Sequence, residues 1–447
     1  MVSPFIETSE ELMNKILPKT PIEEWILKRT GLSSVKQSEL QAYQLKKLVE
    51  ILGYTKNNSS FYQKKFINWD YHQIKCLDDF KKLPFTTADD IEKDPFSFLC
   101  IPQHQVDRIV TLNTSGTSGK SKRIFFSDAD LQKTVDFFDY GMRSLTDPTD
   151  RVLVLLPGQA DGSIGDLLKK ALGRTKTTTI ILGLMTDLDA VEHAIITNQI
   201  NCIVGIPIQV LYLSRSKAKC FGQIEKVLLS TDYVPNSMVA ELHKKFNCRV
   251  FNHYGMTEMG YGGGVECAAL NGYHLREADL YFEIINPGTG QPVADGHDGE
   301  IVFTSFNRQA MPLIRYRTGD IGAFSTTPCS CGTLLRTLKK VEGRLKNRIK
   351  LANDRFIDLN VFEETLLGDE NILDYQVTVK NDSLLSIQVS FFHADRRDEK
   401  IRQIRQKLTD ILSVDGKTMK IEVEPGYVAK PDQMVNSMIK RKIIDRR

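Results

Sequence analysis

A short run of hydroxyl residues, glycines and lysines has the spacing expected of a phosphate-binding loop. It reads Thr114-Ser115-Gly116-Thr117-Ser118-Gly119-Lys120-Ser121-Lys122. Its glycines let the backbone approach a ligand closely, and its hydroxyl and N–H groups can surround phosphate oxygens while the lysines add positive charge. It is not a Walker loop, because that motif would need a glycine where Thr114 stands. A flexible linker is the alternative, but the two lysines and the strand-like Val110-Thr111-Leu112 before it favour phosphate binding.

Three further motifs follow downstream. They are Tyr254-Gly255-Met256-Thr257-Glu258, Tyr316-Arg317-Thr318-Gly319-Asp320 and the basic stretch from Gly343 to Lys350. A carboxylate such as Glu258 is a hard ligand suited to magnesium. A carboxylate such as Asp320 can accept hydrogen bonds from two hydroxyls at once. Each motif alone could be an ordinary turn, and only their order after the phosphate loop gives them weight.

In this order the motifs resemble those of the adenylate-forming superfamily, which includes acyl-CoA synthetases and luciferases. Ser121 stands where that family usually has proline, a mild departure. Longer stretches are similar to phenylacetate–CoA ligases and their relatives. The resemblance covers roughly residues 40 to 445, and its branch-specific stretches are Asn58-Ser59-Ser60-Phe61-Tyr62, Leu83-Pro84-Phe85-Thr86-Thr87 and Met311 to Asp320.

The resemblance implies a role for each matched position. The ATP phosphates would be held by Ser115, Gly116, Thr117, Ser118, Gly119 and Lys122. Tyr254 would lie near the adenine, Thr257 would contact the α-phosphate and Glu258 would hold magnesium. Asp320 would bind the ribose hydroxyls and Arg344 the ribose and phosphate. Lys346 would be the hinge between two half-reactions, and Lys350 would act in the second. The residues expected in catalysis are Thr257, Glu258, Lys122, Lys350 and Lys440.

The C-terminal tail departs from the family pattern. Relatives end with a Gly-Lys pair whose lysine bridges the carboxylate and the α-phosphate, and this tail reads Asn436-Ser437-Met438-Ile439-Lys440-Arg441-Lys442. Lys440 is the expected substitute, with Lys430 and Lys442 as alternatives. A positive charge aimed at developing negative charge is worth several kcal/mol. The alternative is that adenylation has been lost.

Cys267, His274, Cys329 and Cys331 form a candidate metal site. Three thiolates and an imidazole are a ligand set for structural zinc. The two halves are far apart in sequence, so separate buried thiols are the other interpretation. Some members of the phenylacetate–CoA ligase branch carry a similar set, which makes the two interpretations about equal.

Composition places the chain among ordinary soluble globular proteins. It has 447 residues, 59 of them basic and 56 acidic, and a net charge of +3. This balance does not favour a nucleic-acid partner. The start has neither a signal-like basic region nor an apolar core, and no apolar run approaches a membrane span. We expect a cytoplasmic protein with reduced thiols and no membrane partner. The oligomeric state cannot be read, and a homodimer is left open.

The surrounding pattern predicts the elements that position these motifs. Short apolar runs such as Val152–Leu156 and Cys202–Gly205 alternate with helical segments such as Asn236–Phe246, which is typical of a wound α/β sheet. Strands around Asn381-Asp382 predict a hairpin with a loop longer than two residues. The predicted fold is α/β: a large N-terminal AMP-binding domain over 1–344 and a small mobile α+β domain over 345–447.

We therefore expect an ATP- and magnesium-dependent ligase that adenylates an aryl or small organic acid and transfers it to CoA. Loading of a carrier-protein thiol, or a non-catalytic nucleotide-binding homologue, are the alternatives. The acid itself cannot be read. Relatives line their acid pocket at positions matching Pro157–Gly165, Gly205–Pro207 and Tyr261–Gly264, although these segments could equally be strand-end turns.

Overall fold

Helices and strands alternate along most of the chain, as the sequence predicts. The computed structural model describes residues 19–113, 121–350, 356–393, 396–412, 419–426 and 443–447. The α-helices are α1 (Pro21–Thr30), α2 (Gln37–Asn58), α3 (Ser60–Lys65), α4 (Leu77–Phe80), α5 (Ala88–Lys93), α6 (Asp128–Met142), α7 (Ile164–Arg174), α8 (Leu188–Thr197), α9 (Pro207–Ser216), α10 (Ala218–Phe221), α11 (Asn236–Phe246), α12 (Leu359–Leu367) and α13 (Arg397–Leu412). Short 3₁₀ turns cover Tyr71–Gln73, Pro95–Phe98, Gln103–Gln105, Thr257–Met259 and Leu345–Asn347.

The strands are grouped in several sheets. They are β1 (Arg108–Asn113), β2 (Ser121–Phe126), β3 (Arg151–Val154), β4 (Thr178–Ile181), β5 (Cys202–Gly205), β6 (Lys226–Leu229), β7 (Arg249–Tyr254), β8 (Gly264–Glu266), β9 (Tyr273–Leu275), β10 (Leu280–Ile285), β11 (Gly299–Ser305), β12 (Tyr316–Gly322), β13 (Thr337–Leu338), β14 (Gly343–Arg344), β15 (Arg348–Lys350), β16 (Phe356–Asp358), β17 (Ile372–Asn381), β18 (Leu384–Phe391), β19 (Lys420–Pro425) and β20 (Ile443–Asp445).

The largest sheet in the described residues has the order β13-β9-β8-β7-β6-β5-β3-β4. Strands β4, β3, β5, β6 and β7 run parallel, and the remaining pairs are antiparallel. Val152, Leu153 and Val154 are fully buried, as expected of a parallel strand covered on both faces. In such sheets ligands bind beyond the carboxyl ends of the strands. The Tyr254-Gly255 motif lies at that edge, where β7 ends.

A second sheet, of order β10-β11-β12-β14, carries the other nucleotide motif. Its strands are antiparallel, and the pairing of β12 with β14 sets Asp320 opposite Arg344. Strands β1 and β2 form a separate antiparallel hairpin on either side of the phosphate-loop sequence. The residues of that loop from 114 to 120 lie outside the described ranges.

The C-terminal strands form their own sheet, of order β19-β18-β17-β20. The predicted hairpin is present, but the prediction of a longer loop is wrong. Asn381 pairs with Leu384, which leaves a two-residue turn. The Asn381 side chain explains the tight turn, because its oxygen accepts hydrogen bonds from the backbone N–H (3.0 Å) and hydroxyl (2.9 Å) of Ser383.

The C-terminal sheet packs against α9 and α11 through a buried arginine. The Arg215 guanidinium pairs with Glu241 at 2.6 Å, and their side chains are 5% and 8% exposed. The same guanidinium donates to the carbonyl oxygens of Leu367 and Ile372, each at 2.8 Å. Arg215 therefore joins the parallel sheet's helices to the end of α12.

A second contact at this boundary involves the start of α11. The Glu364 carboxylate accepts hydrogen bonds from the backbone N–H groups of Asn236 (2.6 Å) and Ser237 (3.0 Å). It also accepts one from the Tyr233 hydroxyl at 2.7 Å. A carboxylate at a helix N-terminus satisfies unpaired N–H groups and is favoured by the helix dipole. Across the described ranges, the helices are all too short or too polar to cross a membrane.

Candidate active site

Glu258 is the centre of a buried charged cluster. It lies in the 3₁₀ turn Thr257–Met259 directly after β7, and its side chain is 4% exposed. Its carboxylate forms an ion pair with Lys122 of β2 and accepts a hydrogen bond from the Tyr316 hydroxyl at 3.1 Å. The Lys122 ammonium also donates to that hydroxyl at 3.2 Å. The structure thus brings together the last lysine of the phosphate-loop sequence and the predicted magnesium ligand.

The charge of Glu258 is favoured despite its burial. Burial by itself would raise the pKa of this carboxyl, but the Lys122 ammonium outweighs it, and the pKa is lowered. Burial and the neighbouring Glu258 charge raise the pKa of Tyr316 well above its usual value. At neutral pH the cluster therefore holds an ionised Glu258 carboxylate beside a protonated Tyr316 phenol.

A tight turn fixes the backbone around Glu258. The backbone N–H groups of Tyr261 and Gly263 donate to the carbonyl oxygens of Met256 (3.0 Å) and Tyr254 (2.9 Å). A Cβ atom at Gly255 would overlap the carbonyl oxygen of Tyr261, so only glycine fits there. The turn is held in one conformation before any ligand binds.

Asp320 forms a second cluster at the same site. Its Oδ2 atom accepts a hydrogen bond from the Tyr254 hydroxyl at 3.2 Å, and its Oδ1 atom lies 2.8 Å from Nε of Arg344. The Asp320 carboxylate raises the pKa of Arg344. Tyr254 belongs to the turn that carries Glu258, and Asp320 to the strand that begins with Tyr316, so the two clusters form one site.

Two residues of this site had no role in the sequence prediction. Tyr316 begins the motif that ends at Asp320, so a signal for it was present but unused. Arg308 had no such signal. Its guanidinium is buried and donates to the carbonyl oxygen of Glu258 (2.6 Å) and to that of Phe125 (3.0 Å). Arg308 thereby anchors the catalytic turn to β2.

Other predicted residues lie at the edge of this site or outside the described ranges. Lys346 is exposed in the 3₁₀ turn after Arg344, and Lys350 is exposed at the end of β15. Their roles stay predictions. The predicted residues outside the described ranges are Ser115, Gly116, Thr117, Ser118, Gly119 and Lys440.

An apolar cavity of about 30 Å³ lies at the carboxyl ends of the parallel strands. Phe137, Phe138 and Ile164 are among its lining residues, together with Ser230 and His253. The Ser230 hydroxyl lies 2.9 Å from Nδ1 of His253. Burial lowers the pKa of His253 to about 4, so its ring is neutral at pH 7. Of the segments expected at the acid pocket, this lining includes Ile164, and the location of the acid stays a prediction.

Glycines in the segments expected at the acid pocket lie in close packing. A Cβ at Gly165 would come within 2.9 Å of the Cα of Gly158. One at Gly205 would meet Val210, and one at Gly262 would meet Phe137. These contacts account for the glycines, and the acid-lining role of the segments stays a prediction.

The four residues of the candidate metal site meet in space. All their ligand atoms lie within 4.8 Å of one another. The Sγ atoms of Cys267 and Cys329 are 3.7 Å apart, and Sγ of Cys331 is 3.5 Å from Nε2 of His274. A tetrahedral zinc ion with ordinary bond lengths would separate two sulfurs by about 3.8 Å and a sulfur and a nitrogen by about 3.6 Å. The donor set therefore fits zinc.

This cluster joins two segments that are distant in the sequence but adjacent at one edge of the large sheet. Cys267 follows β8 and His274 lies in β9, whereas Cys329 and Cys331 lie in the turn between β12 and β13. His274 is fully buried, and burial lowers its pKa to about 4. A neutral imidazole is the form that binds a metal. The alternative interpretation, in which the thiols are separate from one another, is wrong because the three thiols are adjacent.

Comparison with known families agrees with this geometry. The family model of AMP-binding enzymes matches residues 70–308, which is more than half of the chain. The chain belongs to the AMP-binding enzyme family. The match includes β1, β2 and the turn that carries Glu258.

Relatives of this AMP-binding enzyme include phenylacetate-coenzyme A ligases. That of Escherichia coli (strain K12) is 26% identical over 405 residues, which are 85% of this chain and 90% of that protein. That of Aromatoleum evansii is 24% identical over 436 residues, 91% of this chain and 96% of that protein. A solved 2-hydroxyisobutyryl-CoA ligase in the postadenylation state has the same fold, with a TM-score of 0.79 and 17% identity over 93% of this chain and 91% of that one.

Proposed function

We propose that this AMP-binding enzyme is an ATP-dependent acid–CoA ligase that forms an acyl-adenylate from an aryl or small organic acid. The observation that carries the proposal is the joining of Lys122, Glu258 and Tyr316 to the Asp320–Arg344 pair in one site. Its two carboxylates are buried. The first cluster suits phosphates and a hard cation, and the second suits a ribose. The names of the relatives support CoA as the acceptor.

The residues of the site act by positioning and charge. Asp320 would accept hydrogen bonds from the ribose hydroxyls, and Arg344, which pairs with Asp320, would contact the ribose and phosphate. Lys122 exchanges Glu258 for phosphate oxygens when the nucleotide binds. Glu258, freed from Lys122, would hold magnesium, which supplies further positive charge to the phosphates. Positioning and electrostatic stabilisation supply most of the catalysis in such a site.

The reaction then proceeds in two steps. A carboxylate oxygen of the acid attacks the α-phosphorus of ATP, the bond to the β-phosphate oxygen breaks, and pyrophosphate leaves. The thiolate of CoA next attacks the acyl carbon and AMP leaves, while the thiol proton goes to solvent. Both steps balance without an oxidant or reductant.

We propose a domain boundary between residues 344 and 345. Strand β14, which ends at Arg344, pairs with β12 of the large N-terminal region. Strand β15 begins four residues later, at Arg348, and pairs with β16 instead. Lys346 lies between them and would be the hinge. Lys350 would act after the C-terminal domain has turned. The role of Lys440 stays a prediction about the tail.

Acid-dependent exchange of labelled pyrophosphate into ATP tests the first step. A panel of aryl and short-chain acids is used with magnesium, and exchange with one class of acid is the expected result. Glu258→Gln and Asp320→Ala should each reduce exchange at least a hundredfold. Unchanged exchange in these variants would show that the site is wrongly assigned. ATP binding without exchange for any acid would favour the non-catalytic alternative.

Thioester formation with CoA alone tests the second step. The expected result is acyl-CoA and AMP in equal amounts. Exchange without thioester formation would favour the carrier-protein alternative. The free cysteines fit the expected cytoplasmic location, and a homodimer stays an open prediction.

We also propose that Cys267, His274, Cys329 and Cys331 hold one structural zinc ion. The ion would fix the turn before β13 to the β8–β9 region beside the catalytic turn. Metal analysis of the purified protein should find about one zinc per chain. Cys331→Ser should lower that content and the thermal midpoint, whereas Cys76→Ser, which changes an exposed cysteine, should not. Full stability without zinc would contradict the proposal.

A further inference from the structure

A short segment after β6 lies between the nucleotide site and the C-terminal region. It covers Ser230–Tyr233, and we call it the β6 segment. The pKa of Arg344 is raised first by Asp320, and the Asp232 charge adds to the effect. Such an effect requires the two charges to be close. The β6 segment therefore adjoins the part of the site expected to bind the ribose.

The backbone of the β6 segment is strained at Thr231. Its φ angle is +79°, in the left-handed region that β-branched residues rarely adopt. Strain of this kind persists only where the surrounding contacts hold it. At one end of the segment the Ser230 hydroxyl lies 2.9 Å from Nδ1 of His253. At the other end the Tyr233 hydroxyl donates to Glu364 at 2.7 Å. A contact with the C-terminal region thus helps to hold the β6 segment.

Three donors from the N-terminal region bind the Glu364 carboxylate of α12. Besides the Tyr233 hydroxyl, they are the backbone N–H groups of Asn236 (2.6 Å) and Ser237 (3.0 Å). We call these three hydrogen bonds the Glu364 contact. Burial and the Glu364 charge raise the pKa of Tyr233, so its hydroxyl stays a protonated donor at neutral pH. Hydrogen bonds to an ionised acceptor are about twice as strong as those between neutral groups.

The Glu364 contact crosses the proposed domain boundary between β14 and β15. Its three donors precede that boundary in the chain, and Glu364 follows it. A neighbouring bond of the same kind does not cross the boundary, because the Tyr375 hydroxyl donates to Glu363 at 3.0 Å within the C-terminal region. A turn of that region would break the Glu364 contact and leave the Tyr375 bond intact.

The arrangement that contains the Glu364 contact is not the one proposed for the second step. Lys350 would act in the second step, yet here it is exposed at the end of β15. Glu258, the centre of the site, is buried. The C-terminal region has therefore not turned Lys350 toward the site, and the arrangement is the one expected during the first step.

We infer that the Glu364 contact favours the arrangement of the first step and that Tyr233 is a positioning residue for adenylation. This inference rests on the proposed function and on the proposed boundary. Hydrogen bonds that exist in only one of two arrangements shift the equilibrium toward that arrangement. In the first step they also hold the β6 segment beside Arg344. Their loss should therefore slow the first step relative to the second.

The test measures the two steps separately in the full-length protein. Acid-dependent exchange of pyrophosphate into ATP reports the first step, and the reaction of a synthetic acyl-adenylate with CoA reports the second. Tyr233→Phe removes one donor, and Glu364→Gln removes the charge of the acceptor. When the arrangements interconvert rapidly, the ratio of second-step to first-step rates depends on their equilibrium constant, whichever arrangement predominates. We expect this ratio to rise about tenfold in each variant, in line with the loss of a hydrogen bond to a charged group.

Tyr375→Phe is the matched control, because it removes a tyrosine–glutamate bond that stays within the C-terminal region. Its ratio should remain within twofold of the wild type. A general loss of stability would slow both steps alike and leave the ratio unchanged. An unchanged ratio in Tyr233→Phe or Glu364→Gln, or an equal rise in the control, would overturn the inference. Circular dichroism checks that each variant is folded.

Hydrogen–deuterium exchange gives a second readout that needs no substrate. In Glu364→Gln the backbone N–H groups of Asn236 and Ser237 should exchange at least fivefold faster than in the wild type, and in Tyr375→Phe they should not. Wild-type exchange rates in Glu364→Gln would also overturn the inference. If the wild type catalyses both steps and the variants keep its ratio, the inference alone is wrong. If the wild type catalyses neither step, the proposed function is wrong and the inference fails with it.

Discussion

Replacing Tyr316 by phenylalanine removes one hydroxyl from the centre of the catalytic cluster. That hydroxyl donates to Glu258 at 3.1 Å and accepts from Lys122 at 3.2 Å, and Tyr316 is 2% exposed. A hydrogen bond to a charged group is worth about 1.5–3 kcal/mol. Glu258 keeps its ion pair with Lys122 in the variant. We therefore take the energy of the single Tyr316–Glu258 hydrogen bond as the measure of the lost stabilisation. If the bond also orients Glu258 in the transition state, kcat/KM for ATP should fall about ten- to a hundredfold.

Pyrophosphate exchange measures this effect directly. The pKa of Tyr316 is raised, so its hydroxyl stays protonated and the ratio of wild-type to variant rates should be flat between roughly pH 6 and 9. Tyr281→Phe, which changes another buried tyrosine on β10 outside the site, is the matched control and should keep the wild-type rate. If Tyr316→Phe exchanges within twofold of wild type while Glu258→Gln is inactive, the hydroxyl does not position Glu258.

Two further predictions concern stability and the catalytic turn. Burial raises the pKa of Glu277 from near 4.5 to about 7. As pH rises from about 4.5 to 7, the unfolded chain therefore loses this proton before the folded chain does. The free energy of unfolding falls by up to about 3 kcal/mol over that range. Glu277→Gln should therefore raise the denaturation midpoint at pH 8 and change it little at pH 4; an equal change at both would contradict this. Gly255→Ala should reduce exchange more than tenfold, because its Cβ overlaps Tyr261. Gly173→Ala in α7, where a Cβ meets nothing within 4 Å, should keep the wild-type rate and raise the thermal midpoint slightly; wild-type exchange in Gly255→Ala would refute the turn argument.

Short sequence patterns predicted the helices and strands, because the physical causes of these elements act between residues close together in the sequence. The run Val152–Leu156 predicted a buried strand, and β3 covers Arg151–Val154. The segment Asn236–Phe246 was predicted and observed as a helix. The predicted hairpin at Asn381 is present, but its loop is shorter than predicted because one side chain tightens the turn, which hydrophobic periodicity does not report.

The sequence motifs predicted individual residues of the site but not the contacts between distant residues. The sequence named Glu258 and Lys122, but the contact with the Tyr316 hydroxyl joins residues 58 positions apart and depends on how two sheets meet. The metal site shows the same limit, because Cys267 and Cys329 are 62 positions apart.

The Arg215–Glu241 pair lowers the electrostatic cost of separating the C-terminal region from α9 and α11. Both charges belong to α9 and α11, so they stay paired wherever the C-terminal sheet goes. For Arg215, separation removes the hydrogen bonds to the carbonyls of Leu367 and Ile372, which water can replace. The contacts of Glu364 with the start of α11 are broken as well. A buried charge left without its partner would cost several kcal/mol, and this arrangement avoids that cost. Opening the boundary therefore leaves Arg215 and Glu241 paired with each other.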